Sequence, residues 1–104
     1  MNKALSQKPI KLTPQAAVNI AEALKVYASV AYPLGGSECS QATHQTLLEL
    51  AKKITIMGPE GALRLKKRQL PIIKAAINWY YSEDNADEIR QGINAENLLQ
   101  QLQQ

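Results

Sequence analysis

The sequence predicts an all-α fold: a compact bundle of four to six helices in a single domain. Alanine, leucine and isoleucine carry most of the apolar content, and phenylalanine is absent. Alanine and leucine are strong helix formers, and few segments show the period-two alternation that is typical of half-buried strands. A chain of 104 residues has the length of one domain and buries roughly two-thirds of the surface that its unfolded form exposes.

The N-terminal residues differ from the rest of the chain. Residues 1–12 carry three lysines and show no helical stripe, which predicts an extended or flexible arm ahead of a helical domain over residues 13–104. Thr13 followed by Pro14 is a typical helix start, with the threonine as N-cap and the proline in the first turn. We therefore expect a first helix over residues 14–31.

Turn residues divide the remainder into further helices. A second helix is predicted from Ser37 or Ser40 to about residue 56, because serine is a preferred N-cap and a glycine follows. A short third helix is predicted over residues 59–69. Pro71 disfavours helical geometry at the residue before it, which predicts a bend followed by a fourth helix over residues 71–81.

Two more short helices complete the prediction. Residues 86–91 precede a glycine and are expected to form the first of them. The last is expected to begin at Asn94, where Ile93 and Leu98 stand at the positions of a hydrophobic staple.

The first and fourth helices are apolar over most of their circumference. The polar stripe of the first helix is only about 120° wide, and helices of this kind must be covered on several sides. The short remaining helices leave surface bare, which favours self-association, with a dimer as the commonest solution. The alternative is that both helices are central in a monomer. The candidate oligomer interface on the fourth helix consists of Ile72, Ile73, Ile77, Trp79 and Tyr80.

A tight cluster of positive charge precedes the fourth helix and is the candidate anion-binding or partner-binding site. It consists of Arg64, Lys66, Lys67 and Arg68. On the predicted third helix these side chains spread over roughly 200°, and Lys52 and Lys53 at the end of the second helix extend them. Three interpretations stay open: a solvated face, a contact for an acidic protein partner, or a phosphate contact on nucleic acid with bases stacked on Trp79, Tyr80 and Tyr81.

The charges divide unevenly along the chain. Eleven of the twelve basic residues lie before residue 82 and meet four acidic residues there, which gives +7. From residue 82 onward five acidic residues face one arginine, which gives −4. This asymmetry fits either an anion-binding face with an acidic tail or two halves that neutralise each other, within one fold or across a dimer.

Candidate catalytic residues are sparse. Cys39 and His44 are single residues of their kind, and a spacing of five turns them about 140° apart on a helix. They therefore do not form a local nucleophile–base pair. One cysteine and one histidine do not complete a structural zinc site, and the acidic residues at 83–88 lack the ligand spacing of a calcium loop. We predict no catalytic, metal or cofactor site and no enzymatic activity.

The same sequence features set expectations for location and function. Residues 1–12 lack the apolar run of a secretory signal, and Glu22 and Lys25 interrupt the most hydrophobic stretch, so we expect no membrane span and a cytoplasmic location. The predicted function is non-catalytic binding, to a second copy or to a protein partner. The alternative is a nucleic-acid-binding accessory protein that uses the basic cluster at residues 64–68.

Overall fold

The computed structural model describes residues 9–81 and 95–102. These residues contain four α-helices, named α1 (Pro14–Ala31), α2 (Glu38–Met57), α3 (Leu70–Tyr80) and α4 (Ala95–Gln101), and a single-turn 3₁₀ helix, Lys67–Gln69. The predicted all-α class is confirmed for this part of the chain. None of its helices is long and apolar enough to cross a membrane. The helix predicted over residues 86–91 lies outside the described residues.

Local capping determines where the two long helices begin. Thr13 Oγ1 accepts a hydrogen bond from the Ala16 amide at 3.1 Å, and the proline lies in the first turn of α1. Ser37, rather than Ser40, is the N-cap of α2, because its Oγ accepts the Ser40 amide at 3.2 Å. Both predicted starts are confirmed, since each depends on residues within one helical turn.

Helix α1 is the centre of the fold and packs against both α2 and α3. Its buried faces are rich in alanine, whose small side chain lets the neighbouring helices approach closely. The fully buried large side chains come from all three helices and from the two extended segments around them: Leu12, Ile20, Leu24, Leu47, Ile54, Leu63, Ile73 and Ile77.

The predicted third helix over residues 59–69 is wrong. Leu63 pairs with Ile10 in an isolated antiparallel bridge, in which the Ile10 amide donates to the Leu63 carbonyl at 2.7 Å. Buried and exposed side chains then alternate along the chain: Leu63 and Leu65 are buried, and Arg64 and Lys66 are exposed. This is the period-two alternation of an extended chain, and only the 3₁₀ turn that follows it is helical.

The bend predicted immediately before Pro71 is also wrong. Leu70 has helical dihedral angles, with φ −61° and ψ −44°, and the proline lies in the first turn of α3. Amide groups in the first turn of a helix have no acceptor inside that helix. Proline lacks an amide hydrogen, so Pro71 removes no helical hydrogen bond there, and α3 can begin at Leu70. The extended residue is instead Lys66, with ψ 147°.

The end of the predicted N-terminal arm belongs to the core. Ile10 and Leu12 are buried, and the Leu12 amide donates to the Gly58 carbonyl at 2.9 Å. Gly58 ends α2, as predicted, but with right-handed helical dihedral angles. A Cβ atom there would lie 2.6 Å from the Ile54 carbonyl oxygen and 2.9 Å from Leu12 Cδ1. Glycine is therefore required by the close approach of the Ile54 carbonyl and of Leu12, and not by a left-handed turn.

His44 ties α2 to the C-terminal end of α1. It is the one buried polar side chain among the described residues. Its Nδ1 lies 3.0 Å from the Ala28 carbonyl oxygen and 2.8 Å from that of Tyr32. Both groups are acceptors, so Nδ1 carries the hydrogen and donates to them. The carbonyls at the end of a helix lack donors inside it, and this histidine supplies one to the Tyr32 carbonyl from the neighbouring helix.

Candidate interaction surfaces

The four basic residues of the predicted site lie together on one segment, which we call the basic segment (residues 64–68). It is extended up to Lys66 and enters the 3₁₀ helix at Lys67. Leu63 and Leu65 anchor it in the core, with 0% and 2% of their surfaces exposed. All four basic side chains are exposed. The structure therefore brings the predicted residues together, but not on one α-helix: Arg64 and Lys66 alternate with buried leucines along an extended chain, and Lys67 and Arg68 lie in the 3₁₀ turn that follows.

Hydrogen bonds hold the backbone of the basic segment in place. Lys53 Nζ on α2 donates to the Arg64 carbonyl at 2.7 Å. The Lys66 amide donates to Gln69 Oε1 at 2.8 Å, and the Gln69 amide donates back to the Lys66 carbonyl at 2.9 Å. Lys53 thus contributes a further cation beside the segment, as its position at the end of the second helix indicated. The basic side chains therefore extend from a backbone whose geometry is already set.

All five aromatic residues of the chain form one continuous row. Ring centroids are 6.2 Å apart between Tyr32 and Tyr27, 5.8 Å between Tyr27 and Trp79, 6.2 Å between Trp79 and Tyr80, and 4.9 Å between Tyr80 and Tyr81. The row joins α3 to the exposed edge and C-terminal end of α1. Centroid separations of this size are those of favourable edge and tilted contacts.

Two of these tyrosines are also hydrogen-bonded to α1. Tyr80 Oη donates to Glu22 Oε2 at 2.6 Å, and Tyr81 Oη donates to the Asn19 carbonyl at 2.8 Å. The rings therefore contribute to helix packing. They also lie far from the basic segment, because the 11 residues of α3 place about 16 Å between the two ends of that helix. The rings of α3 and the basic segment therefore lie at opposite ends of that helix.

The candidate oligomer interface divides into two groups. Ile73, Ile77 and Tyr80 are buried in the chain's own core, with 0%, 0% and 5% of their surfaces exposed. These three side chains are covered by α1 and its neighbours and do not line a surface. Ile72 and Trp79 are half-buried, so they are the members of the set that a second chain could reach.

A second surface, which we call the aromatic patch, was not predicted as a unit. It consists of Tyr27, Val30, Tyr32, Leu34 and Trp79. Val30 and Leu34 are 60% and 66% exposed, and the three aromatic rings are half-buried. The signal that could have identified it is an absence of charge, because residues 26–37 contain no charged side chain.

A shallow groove runs between α1 and α2 on another side of the molecule. Its volume is about 500 Å³. Its lining includes three apolar residues and three charged ones, namely Leu48, Ala51, Ile56, Lys25, Glu49 and Lys52. The groove therefore has charges of both signs along its length.

The two residues first considered for catalysis do not meet. His44 is buried against the end of α1, whereas Cys39 is exposed in the first turn of α2. Within the described residues, no group of three or more histidine, cysteine, aspartate and glutamate side chains is placed to hold a metal ion.

Comparison with known proteins gives no relative. No family model, curated protein or solved structure matches the chain. The functional argument therefore depends on the surfaces described above, and the basic segment and the aromatic patch are the two that sequence and structure both set apart.

Proposed function

We propose that this chain is a non-catalytic, cytoplasmic binding protein whose basic segment contacts an acidic surface on a protein partner. The observation that carries the proposal is the anchoring of the segment. Leu63 and Leu65 are buried on one side of the extended chain, and Arg64 and Lys66 are exposed on the other. A surface that served only solubility would not need its cations held on so constrained a backbone.

A fixed backbone favours binding in two ways. It reduces the conformational entropy that is lost when the partner binds, because the backbone is already ordered. It also concentrates positive charge, which speeds the encounter with an acidic surface. Exposed ion pairs contribute only about 0.2–1 kcal/mol each, so a few together provide modest affinity with strong salt dependence.

Two features favour a protein partner over nucleic acid. Proteins that bind single strands combine a cationic track with aromatic stacking platforms, and here the aromatic row lies at the opposite end of α3 from the basic segment. Proteins that read duplex DNA place a helix or a two-stranded ribbon in a groove, and here the cations lie on one extended segment and a 3₁₀ turn. With neither stacking nor groove reading favoured, a nucleic acid would be held only through its phosphate backbone.

The test compares two probes and two matched variants. The probes are a fluorescein-labelled polyglutamate peptide and a labelled DNA duplex, each titrated in a series of salt concentrations and followed by fluorescence anisotropy. The first variant combines Lys66→Glu with Arg68→Glu. The control combines Lys25→Glu with Gln15→Glu and Thr46→Glu, which changes the net charge by the same amount at three exposed residues outside the basic segment.

We expect polyglutamate to bind in a salt-dependent manner, the Lys66/Arg68 variant to lose that binding, and the control to retain it. Equal losses in both variants would show that net charge alone attracts the probe and would overturn the proposal. Preferential duplex binding, with a log–log salt slope between roughly −3 and −4 for four phosphate contacts, would overturn it in favour of nucleic acid.

A further inference from the structure

We propose that Lys53 and Gln69 are the positioning residues of the binding site, because their side chains hold the backbone of the basic segment in the conformation that a partner recognises. This inference rests on the proposed function and adds to it how the site is kept ready for binding. The sequence pointed to Lys53 only as a further cation beside the cluster and gave no role to Gln69.

The extended part of the basic segment is not part of a sheet in the described regions of the chain. Its β-pairing there is the isolated bridge between Ile10 and Leu63, just before the segment begins. The backbone groups of an extended chain are ordinarily paired by a neighbouring strand. Here side chains take the place of a strand at two backbone groups, the Arg64 carbonyl and the Lys66 amide.

Lys53 fixes the extended half of the basic segment. It lies in the second-last turn of α2, is half-buried, and donates from Nζ to the Arg64 carbonyl at 2.7 Å. A hydrogen bond from an ammonium group is roughly twice as strong as one between neutral groups. The buried side chains of Leu63 and Leu65 flank this carbonyl along the chain. The contact therefore ties the segment to α2 between its two apolar anchors.

Gln69 fixes the point where the extended chain enters the 3₁₀ turn. Its Oε1 accepts the Lys66 amide at 2.8 Å, and its own amide donates to the Lys66 carbonyl at 2.9 Å. The bonds run in both directions and enclose Lys67 and Arg68. They therefore set how these two cations are oriented relative to Lys66, and thus the arrangement of charge that a partner meets.

The loss of either contact should weaken binding by a limited amount. A partner that recognises one backbone conformation binds with an apparent affinity proportional to the fraction of molecules in that conformation. A single hydrogen bond contributes little net free energy in water, so its removal reduces that fraction by roughly twofold to tenfold. The cations of the segment itself remain in place, and weakened rather than abolished binding is the expected result.

The test separates the hydrogen bonds from the charge. Lys53→Met removes the ammonium group and keeps an unbranched side chain. Lys52→Met is its matched control, because it removes the same charge from the next residue of α2, which lines the α1–α2 groove. Lys53→Arg keeps both the charge and a donor. Gln69→Leu removes the acceptor without changing the net charge.

Two measurements are made on each variant: the dissociation constant for labelled polyglutamate at fixed salt, and amide hydrogen exchange followed by NMR. Lys53→Met should bind roughly twofold to tenfold more weakly than Lys52→Met, Gln69→Leu should show a similar loss against the wild type, and Lys53→Arg should bind as the wild type does. The Ile10 amide donates to the Leu63 carbonyl, so it should exchange faster in Lys53→Met and not in Lys52→Met.

Equal affinities of Lys53→Met and Lys52→Met would overturn the role of Lys53 while leaving the proposed function standing, whether or not Ile10 exchange changes. A Gln69→Leu variant that binds like the wild type would overturn the role of Gln69 in the same way. A wild-type chain that does not bind polyglutamate would overturn the proposed function and this inference with it. The exchange of the Ile10 amide would then still show whether Lys53 holds the segment.

Discussion

Removing the hydrogen-bond donor of His44 should destabilise the fold by an amount that the structure allows us to work out. The side chain is 6% exposed, and its Nδ1 donates to the carbonyls of Ala28 and Tyr32. The Ala28 carbonyl also accepts the Tyr32 amide at 3.0 Å, so it keeps one partner when the histidine is replaced. Among the described contacts, His44 is the one donor to the Tyr32 carbonyl. Replacing the histidine would therefore leave that carbonyl without this hydrogen bond.

Three substitutions separate the donor from the packing. His44→Leu fills much of the space without a donor and should cost about 1–3 kcal/mol, the penalty of an unpaired acceptor. His44→Ala adds a cavity and should cost roughly 3–5 kcal/mol. The side-chain amide of His44→Asn can donate from near the position of Nδ1, so its cost should be the smallest of the three.

Urea unfolding followed by Trp79 fluorescence provides the assay, with thermal melting as a second measurement. For a domain of this size a loss of 2 kcal/mol corresponds to a decrease in Tm of roughly 8–16 °C. The expected order of stability is wild type, Asn, Leu, Ala. A leucine variant as stable as the wild type would refute the reasoning, because it would show that the two hydrogen bonds contribute nothing net.

Three further changes test other parts of the account by the same unfolding assay. Gly58→Ala should lower the free energy of unfolding by about 1–3 kcal/mol, because the new methyl group would overlap the Ile54 carbonyl oxygen as well as Leu12; an unchanged stability would show that the backbone and Leu12 both move aside freely. Leu65→Ala should cost about 2–5 kcal/mol and should also weaken polyglutamate binding, since it removes an anchor of the basic segment; loss of stability with full binding would contradict that link. Cys39→Ser should change stability by less than about 0.5 kcal/mol and leave binding intact, because the thiol is exposed; a wild-type thiol that reacts with iodoacetamide far faster than free cysteine would contradict its inert role.

The helix starts were predictable because their causes are local. Thr13 and Pro14 define the beginning of α1 within four residues, and Ser37 does the same for α2. The extended segment around Leu63 was missed because it contains only two apolar residues at period two. Its pairing partner, Ile10, lies 53 positions earlier, and a sequence pattern carries no information about contacts that distant.

The candidate site was predictable in composition and not in geometry. The basic residues were identified because a run of cations stands out whatever its backbone conformation. The interface prediction grouped Ile73 and Ile77 with Trp79, because a helix that is apolar nearly all round does not show which face α1 covers. The contact between His44 and the end of α1 was missed for a related reason, since Tyr32 is 12 residues away.

The central claim, that the basic segment is the binding surface, is tested most directly by residue-resolved NMR. Amide ¹H–¹⁵N spectra of the wild-type protein would be recorded during titration with unlabelled polyglutamate peptide. The account predicts that the cross-peaks of residues 64–68 move first and furthest, and that added salt reverses the shifts. Shifts centred on the α1–α2 groove or the aromatic patch, or no shifts at all, would contradict it.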